Sequence, residues 1–330
     1  MLRIGLLGAG RIGQIHGRNI AAHRDAELVA VADALPEAAE ALAAETGSRV
    51  ARIDAILADA GIDAIVVATP TDTHADLIEK AVRQGKAVFC EKPVDLDAAR
   101  IKACLDVVST AGQPLMIGFN RRFDPSFADL KRRLDQGEVG SPELLTILSR
   151  DPAPPPVSYI ERSGGLFRDM MIHDFDMARF LLGEEPVEVF ALGASLVDPA
   201  IGAAGDVDTA AVMLKTGSGR IVQISNSRRA AYGYDQRVEV HGEKGMLRAG
   251  NRRATTVEAA TAAGYSRDPA LDFFLERYAE AYRAELAVFI EGVALGRSLT
   301  PSGEDGLRAQ VLADAATQSW ESGQPVQIRD

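Results

Sequence analysis

The sequence predicts an α/β chain, with an N-terminal Rossmann domain built on a doubly wound parallel sheet and an α+β C-terminal domain with a largely antiparallel open sheet. Three observations carry this. Short apolar runs alternate with helix-period stretches through the first third, which implies right-handed crossovers and a parallel sheet. Gly8-Ala9-Gly10-Arg11-Ile12-Gly13 stands between the first such run and the first helical stretch. Beyond residue 120, strand-like runs follow one another across short turns, such as Thr216-Gly217-Ser218-Gly219 and Gly242-Glu243-Lys244-Gly245. A length of 330 residues fits two domains, placed at 1–120 for a dinucleotide and at 121–330 for substrate and oligomerisation.

In order, Leu2 to Leu7 reads as a strand buried on both faces and Arg11 to Ala22 as a helix. Strands are expected at Glu27–Asp33, Ala64–Ala68, Ala87–Cys90 and Leu115–Ile117. Helices lie between them at Thr73–Gln84 and Asp97–Ala111, closed by Gly85 and Gly112. The second part opens with a helix at Ser126–Gln136 and a strand-like run at Glu143–Ser149, followed by the stiff Pro152-Ala153-Pro154-Pro155-Pro156. Asp169 to Gly183 reads as one helix. Strands at Val187–Val197, Val207–Leu214, Arg220–Ser225 and Arg237–His241 precede terminal helices at Asp272–Leu295 and Ser302–Ser322.

Composition narrows the function. With 47% hydrophobic and 25% charged residues, disorder is excluded as the main state. A formal charge of −11 argues against nucleic acid and anionic membrane as partners. Cys90 and Cys104 cannot make a disulfide framework or a four-cysteine zinc site, and no apolar run is long enough to span a bilayer. Met1 to Leu7 is too short to be a signal peptide, so a cytoplasmic location is expected.

The glycine string assigns Gly8 to a tight turn, Gly10 to close approach by a pyrophosphate and Gly13 to helix–strand packing, with Arg11 and Ile12 in the same turn. Asp33, 20 residues after Gly13, ends the second strand, where a carboxylate accepts ribose hydroxyls and repels a 2′-phosphate. Ala34-Leu35-Pro36 offers no arginine to receive such a phosphate, which predicts NAD over NADP. Thr69-Pro70-Thr71-Asp72-Thr73-His74 begins at the carboxyl end of a strand, where ligands collect; Thr71, Asp72 or Thr73 equally suits a helix cap, and His74 either reaches the cofactor or packs. In Glu91-Lys92-Pro93, Lys92 either polarises a substrate oxygen or is an ordinary surface lysine, and the proline suits a cis bond. Asp169 and His173, at i and i+4, suit general-base chemistry or an exposed pair at a helix start, with Asp176 near their stripe. No second His or Cys stands at ligand spacing, so no metal is expected.

Together these motifs, with Gly164-Gly165, resemble the glucose–fructose oxidoreductase/inositol dehydrogenase (Gfo/Idh/MocA) family over essentially the whole chain. Ser149 to Pro156, Gly165 to Met170, Tyr232-Gly233-Tyr234-Asp235 and Phe273 to Tyr278 bring it nearest the members that act on inositol. The resemblance implies Lys92, Asp169 and His173 as the catalytic set, NAD as cofactor and a homotetramer. It places Gly8, Gly10, Arg11, Ile12, Gly13, Asp33, Thr69, Pro70, His74, Glu91, Lys92 and Tyr282 at the cofactor. Asn120, Arg122 and Tyr234 join the catalytic set at the substrate, with packing the alternative for Tyr234 and Tyr282. The implied reaction oxidises a ring hydroxyl of a cyclic polyol, myo-inositol to 2-keto-myo-inositol. Another sugar, polyol or dihydrodiol is the alternative, and a non-catalytic NAD-binding sensor is the alternative of another class.

Overall fold

The computed structural model of the chain describes residues 1–328. They form two compact units: Met1–Asn120 with Ala281–Gln310, and Arg121–Glu280 with the chain from Val311 onward. The first break falls where the change of rhythm puts it, but 281–310, expected in the second domain, folds with the first.

The first unit runs β1 (Leu2–Leu7), α1 (Arg11–Ala21), β2 (Ala26–Ala32), α2 (Pro36–Thr46), β3 (Arg49–Val50), α3 (Ile53–Ala58), β4 (Ala64–Val67), α4 (His74–Arg83), β5 (Ala87–Glu91), α5 (Ala98–Ala111) and β6 (Leu115–Gly118). Its sheet is parallel throughout, in the order β3-β2-β1-β4-β5-β6. That order reverses direction between β1 and β4, so the crevice for a ligand opens at their carboxyl ends. A parallel sheet must be covered on both faces. This explains why 281–310 is recruited: Phe289 packs edge-on against Phe89 with ring centroids 5.7 Å apart, and the Ile117 N–H donates to the Pro301 carbonyl at 2.9 Å.

The second unit begins with α6 (Pro125–Asp135), β7 (Pro142–Arg150), α7 (Val157–Ser163), α8 (Gly165–Asp169), α9 (Ile172–Leu182), β8 (Pro186–Ala194) and α10 (Pro199–Ala203). It continues with β9 (Thr209–Thr216), β10 (Ile221–Ser227), β11 (Asp235–Gly242), β12 (Gly245–Ala249), the exposed hairpin β13 (Glu258–Thr261) and β14 (Gly264–Arg267), and α11 (Phe274–Arg277). Then come α12 (Ala279–Leu295), α13 (Gly303–Ser322) and β15 (Val326–Gln327). The main sheet of this unit has the order β12-β11-β7-β10-β9-β8-β15, antiparallel except where β10 joins β7. Two expected helices are broken. Asp169–Gly183 divides because the Met170 and Met171 N–H groups both donate to the Leu166 carbonyl, widening that turn, while the Asp174 N–H reaches only to Met171. The backbone thus resets its phase between Asp169 and His173. Asp272–Leu295 divides at Tyr278, whose ring is buried.

Candidate active site

The three glycines of the first turn have separable reasons to be glycine. Gly8 has φ +97°, and a Cβ there would stand 2.4 Å from the Ala68 carbonyl oxygen. At Gly13 a Cβ would meet the Gly8 carbonyl oxygen at 1.9 Å. At Gly10 it would meet nothing within 4 Å. The fold therefore demands Gly8 and Gly13, whereas the space beside Gly10 is open and suited to a close-lying phosphate. Gly10 is also the N-cap of α1 and offers no side-chain acceptor, so the first N–H groups and the positive helix end face that space. Arg11 is exposed and Ile12 half-buried in the same turn. Asp33 accepts the Ala9 N–H at 2.6 Å and the Leu35 N–H at 2.8 Å, which aims its carboxylate into the glycine turn. This cradle fits a dinucleotide, and its carboxylate fits free ribose hydroxyls.

After β4, Thr71–Thr73 forms a 3₁₀ turn leading into α4. Thr73 occupies the N-cap position, yet its hydroxyl donates to the Pro70 carbonyl at 2.7 Å rather than serving the helix, and its oxygen lies 2.6 Å from the Thr69 hydroxyl. His74 is buried, with Nδ1 2.8 Å from the Pro93 carbonyl and Nε2 2.8 Å from the Thr69 carbonyl. It therefore braces two loops instead of reaching outward. Burial pushes its pKa down, against the two carbonyls, which favour the cation. Lys92 is half-buried between buried Glu91 and Pro93, and the Lys92–Pro93 peptide is cis. Glu91, expected at the cofactor, instead turns its carboxylate to His16 Nε2, at 2.7 Å. Tyr282 packs edge-on to the same imidazole, with ring centroids 5.9 Å apart. Asn120 ends this unit and is buried.

In the second unit, Asp169 and His173 are half-buried and flank the reset between α8 and α9, while Asp174 and Asp176 are fully buried. Asp169 accepts a hydrogen bond from the Tyr159 hydroxyl at 3.0 Å, and Arg228 Nη1 stands 3.9 Å from its other oxygen. Asp174 is held by Arg121, by the Ser149 hydroxyl at 2.6 Å and by the Asn226 amide at 2.9 Å. Arg122, expected at the substrate, is engaged in a buried pair with Asp176 (Nε to Oδ2 2.8 Å), and its guanidinium lies over the Phe180 ring. Tyr234 is buried edge-on against Tyr278, and burial pushes its hydroxyl well up.

Two residues that the sequence reading missed lie beside Asp169. On β7, Leu145, Ile147 and Ser149 face inward; on β10, Val222, Ile224 and Asn226 do the same, with Asn226 opposite Ser149. Asp151 and Arg228 continue these alternations one step further. Arg228 is only 1% exposed and stands 3.8 Å from Asp206. Burial pushes the half-buried Asp151 carboxyl up to about 6, against the pull of Arg228. The signal was in the sequence as an inward register that turns polar at one end of both strands.

Comparison with known proteins bears on the fold and the family. Residues 2–119 match the oxidoreductase family with an NAD-binding Rossmann fold, and residues 127–248 match the GFO/IDH/MocA C-terminal domain. The chain is 60% identical to the inositol 2-dehydrogenase of Rhizobium meliloti (strain 1021) over 318 residues, 96% of each chain. It superposes on a myo-inositol dehydrogenase from Corynebacterium glutamicum with a TM-score of 0.96 at 47% identity, covering 100% of this chain and 99% of that one. A scyllo-inositol dehydrogenase from Lactobacillus casei, solved with NAD(H) and scyllo-inositol bound, gives 0.93 at 32% identity over 99% of both. The chain belongs to the Gfo/Idh/MocA family of NAD-binding oxidoreductases.

Proposed function

We propose that this chain oxidises a ring hydroxyl of a cyclic polyol with NAD, myo-inositol to 2-keto-myo-inositol being the first choice. The observation that carries this reading is the near-full-length kinship with the inositol 2-dehydrogenase described above. Gly8, Gly10 and Gly13 with the start of α1 would hold the pyrophosphate, and Asp33 the ribose. When bound, NAD supplies the acceptor for the hydrogen and electron pair that leave the ring carbon. His173 takes the hydroxyl proton. Asp169, fixed by Tyr159, orients the imidazole and stabilises its charged form, and Lys92 stabilises the developing alkoxide. Asp151 is suited to accept a second ring hydroxyl.

Absorbance of NADH, followed with myo-inositol, scyllo-inositol, glucose and xylose in parallel and with NADP as control, tests the reading. Saturable turnover best with an inositol and NAD is expected, and His173→Ala should lower kcat by roughly 10²–10⁴-fold while the protein stays folded. Best turnover with another sugar moves the substrate and keeps the mechanism. NADH binding without any turnover favours the sensor.

Two further parts of the reading concern setting. The outer face of the second unit's sheet carries Leu144, Leu192, Met213 and Ile221 exposed side by side, which supports a homo-oligomer, a tetramer by family likeness. The buried free thiols of Cys90 and Cys104 suit the cytoplasm, and no helix among the described residues is long and apolar enough to cross a membrane.

A further inference from the structure

Within the core of the first unit, three ionisable side chains from three elements meet: His16 of α1, Glu91 at the end of β5 and Glu285 of α12. Their ligating atoms all lie within 4.8 Å of one another. His16 and Glu285 have no exposed surface. Glu91 is pressed against Gly118 of β6, where a Cβ would come within 3.0 Å of its Oε2. Phe89 and Tyr282 present ring edges to His16 at 5.0 and 5.9 Å. Neither oxygen of Glu285 has a hydrogen-bond partner among the groups around it.

An ionised carboxylate cannot rest in such a place. Burial without a donor disfavours its charge, and Glu91 adds like-charge repulsion. Both effects push the Glu285 pKa well up, burial most. A divalent cation would answer the same charge, but the geometry argues against it. Two donors each about 2.1 Å from a tetrahedral ion stand about 3.4 Å apart. His16 Nε2 and Glu91 Oε1 are 2.7 Å apart, the spacing of a hydrogen bond.

We propose that Glu285 is a neutral carboxylic acid held protonated by burial and by the nearby charge of Glu91, and that the His16–Glu91–Glu285 cluster is a positioning device for Lys92. The second half rests on the reading of Lys92 as a catalytic residue. Its logic is mechanical: Glu91-Lys92-Pro93 is a short stretch anchored on one side by this cluster and on the other by His74, which holds the Pro93 carbonyl at 2.8 Å. Lys92 stands between two fixed points. Besides the three members, the titratable groups around the cluster are Cys90 and Lys92 along the chain, His74 from α4 and Tyr282 from α12. Loss of the Glu285 proton at alkaline pH would leave two charges in the core and loosen the anchor.

The test uses Glu285→Gln, a permanent neutral donor of the same shape, and Glu285→Leu, which has none. Infrared difference spectra of wild type minus Glu285→Gln at mildly alkaline pH should show a protonated-carboxyl C=O band. Wild type should show an alkaline fall in kcat, and Glu285→Gln should keep kcat within about threefold and lose that fall, because an amide cannot ionise. Glu285→Leu should lose roughly 10²-fold in kcat with little change in KM, the cost of a misplaced catalytic group. Absence of the carboxyl band, or one tightly held divalent metal per chain by elemental analysis, overturns the neutral acid. A band together with a folded Glu285→Leu of unchanged kcat overturns the positioning role. Normal turnover of Lys92→Met would overturn the catalytic reading beneath it and leave the infrared result standing. Should Glu285→Leu fail to fold, Glu285→Gln still decides through its alkaline limb.

Discussion

Gly10 and Gly13 are three residues apart and answer to different masters. Ala at Gly13 would drive a methyl into the Gly8 carbonyl, whereas Ala at Gly10 meets open space. Gly13→Ala should therefore lower stability by about 1–3 kcal/mol or more, through overpacking. Gly10→Ala should melt like wild type while NADH affinity falls by roughly tenfold or more, read by calorimetry and fluorescence titration. Asp151 makes a pH-dependent prediction. Its carboxyl is raised from 3.8 to about 6, so the fold binds that proton more tightly than the unfolded chain does. The stability it lends is complete below the lower value and gone above the higher one. Urea unfolding of wild type and Asp151→Asn should thus diverge by roughly 3 kcal/mol between about pH 4 and pH 7, in favour of the variant at the upper end. At this scale the sequence is read best where chemistry is local. The glycine turn, Asp33 and Lys92 are legible because each one's meaning lies in its neighbours. Arg122 is less legible, because the residue that engages it, Asp176, is distant in sequence, and no local pattern announces a buried ion pair.

Elements were legible where a period repeats long enough to be counted. β1, α4 and α5 fall within a residue or two of their expected bounds, since buried strands and capped helices state their ends. The two-residue β3 has no period to show, the six-residue α3 beside it is short, and α2 is so rich in alanine that no apolar stripe stands out. The break between α8 and α9 was hidden for a different reason: no Gly or Pro marks it, and the turn widens only through the backbone of Met170 and Met171. One element shows how a cap and a buried pair become a single device. Asp124 caps α6 by accepting the N–H groups of Ser126 and Phe127 at 3.1 and 3.2 Å, and its other oxygen takes Arg277, which is fully buried. Asp124→Ala would uncap the helix and strand a buried cation, so chemical denaturation should report a loss of about 3–5 kcal/mol.

At the scale of the whole molecule, the outer face of the second unit's sheet leaves large apolar side chains exposed. Leu192 is 59% exposed, and Met213 and Ile221 more than 40%, on neighbouring strands. Leu192→Glu with Met213→Glu should shift the mass measured by light scattering toward a single chain and leave NADH binding in place. The order of the two units along the chain was legible from the change of rhythm near residue 120. The return of 281–310 to the first unit was not, because an apolar helix does not say which sheet it will cover. That return has a consequence for how the molecule is made. About 190 residues separate the last strand of the parallel sheet from the end of its covering, which at 5–20 residues per second is roughly 10–40 seconds of synthesis. Throughout that interval the nascent Rossmann sheet has one apolar face without its final cover. The first 120 residues thus lack on their own the segment that completes their cover, and the frame of the dinucleotide site closes only once residues 281–310 have been made.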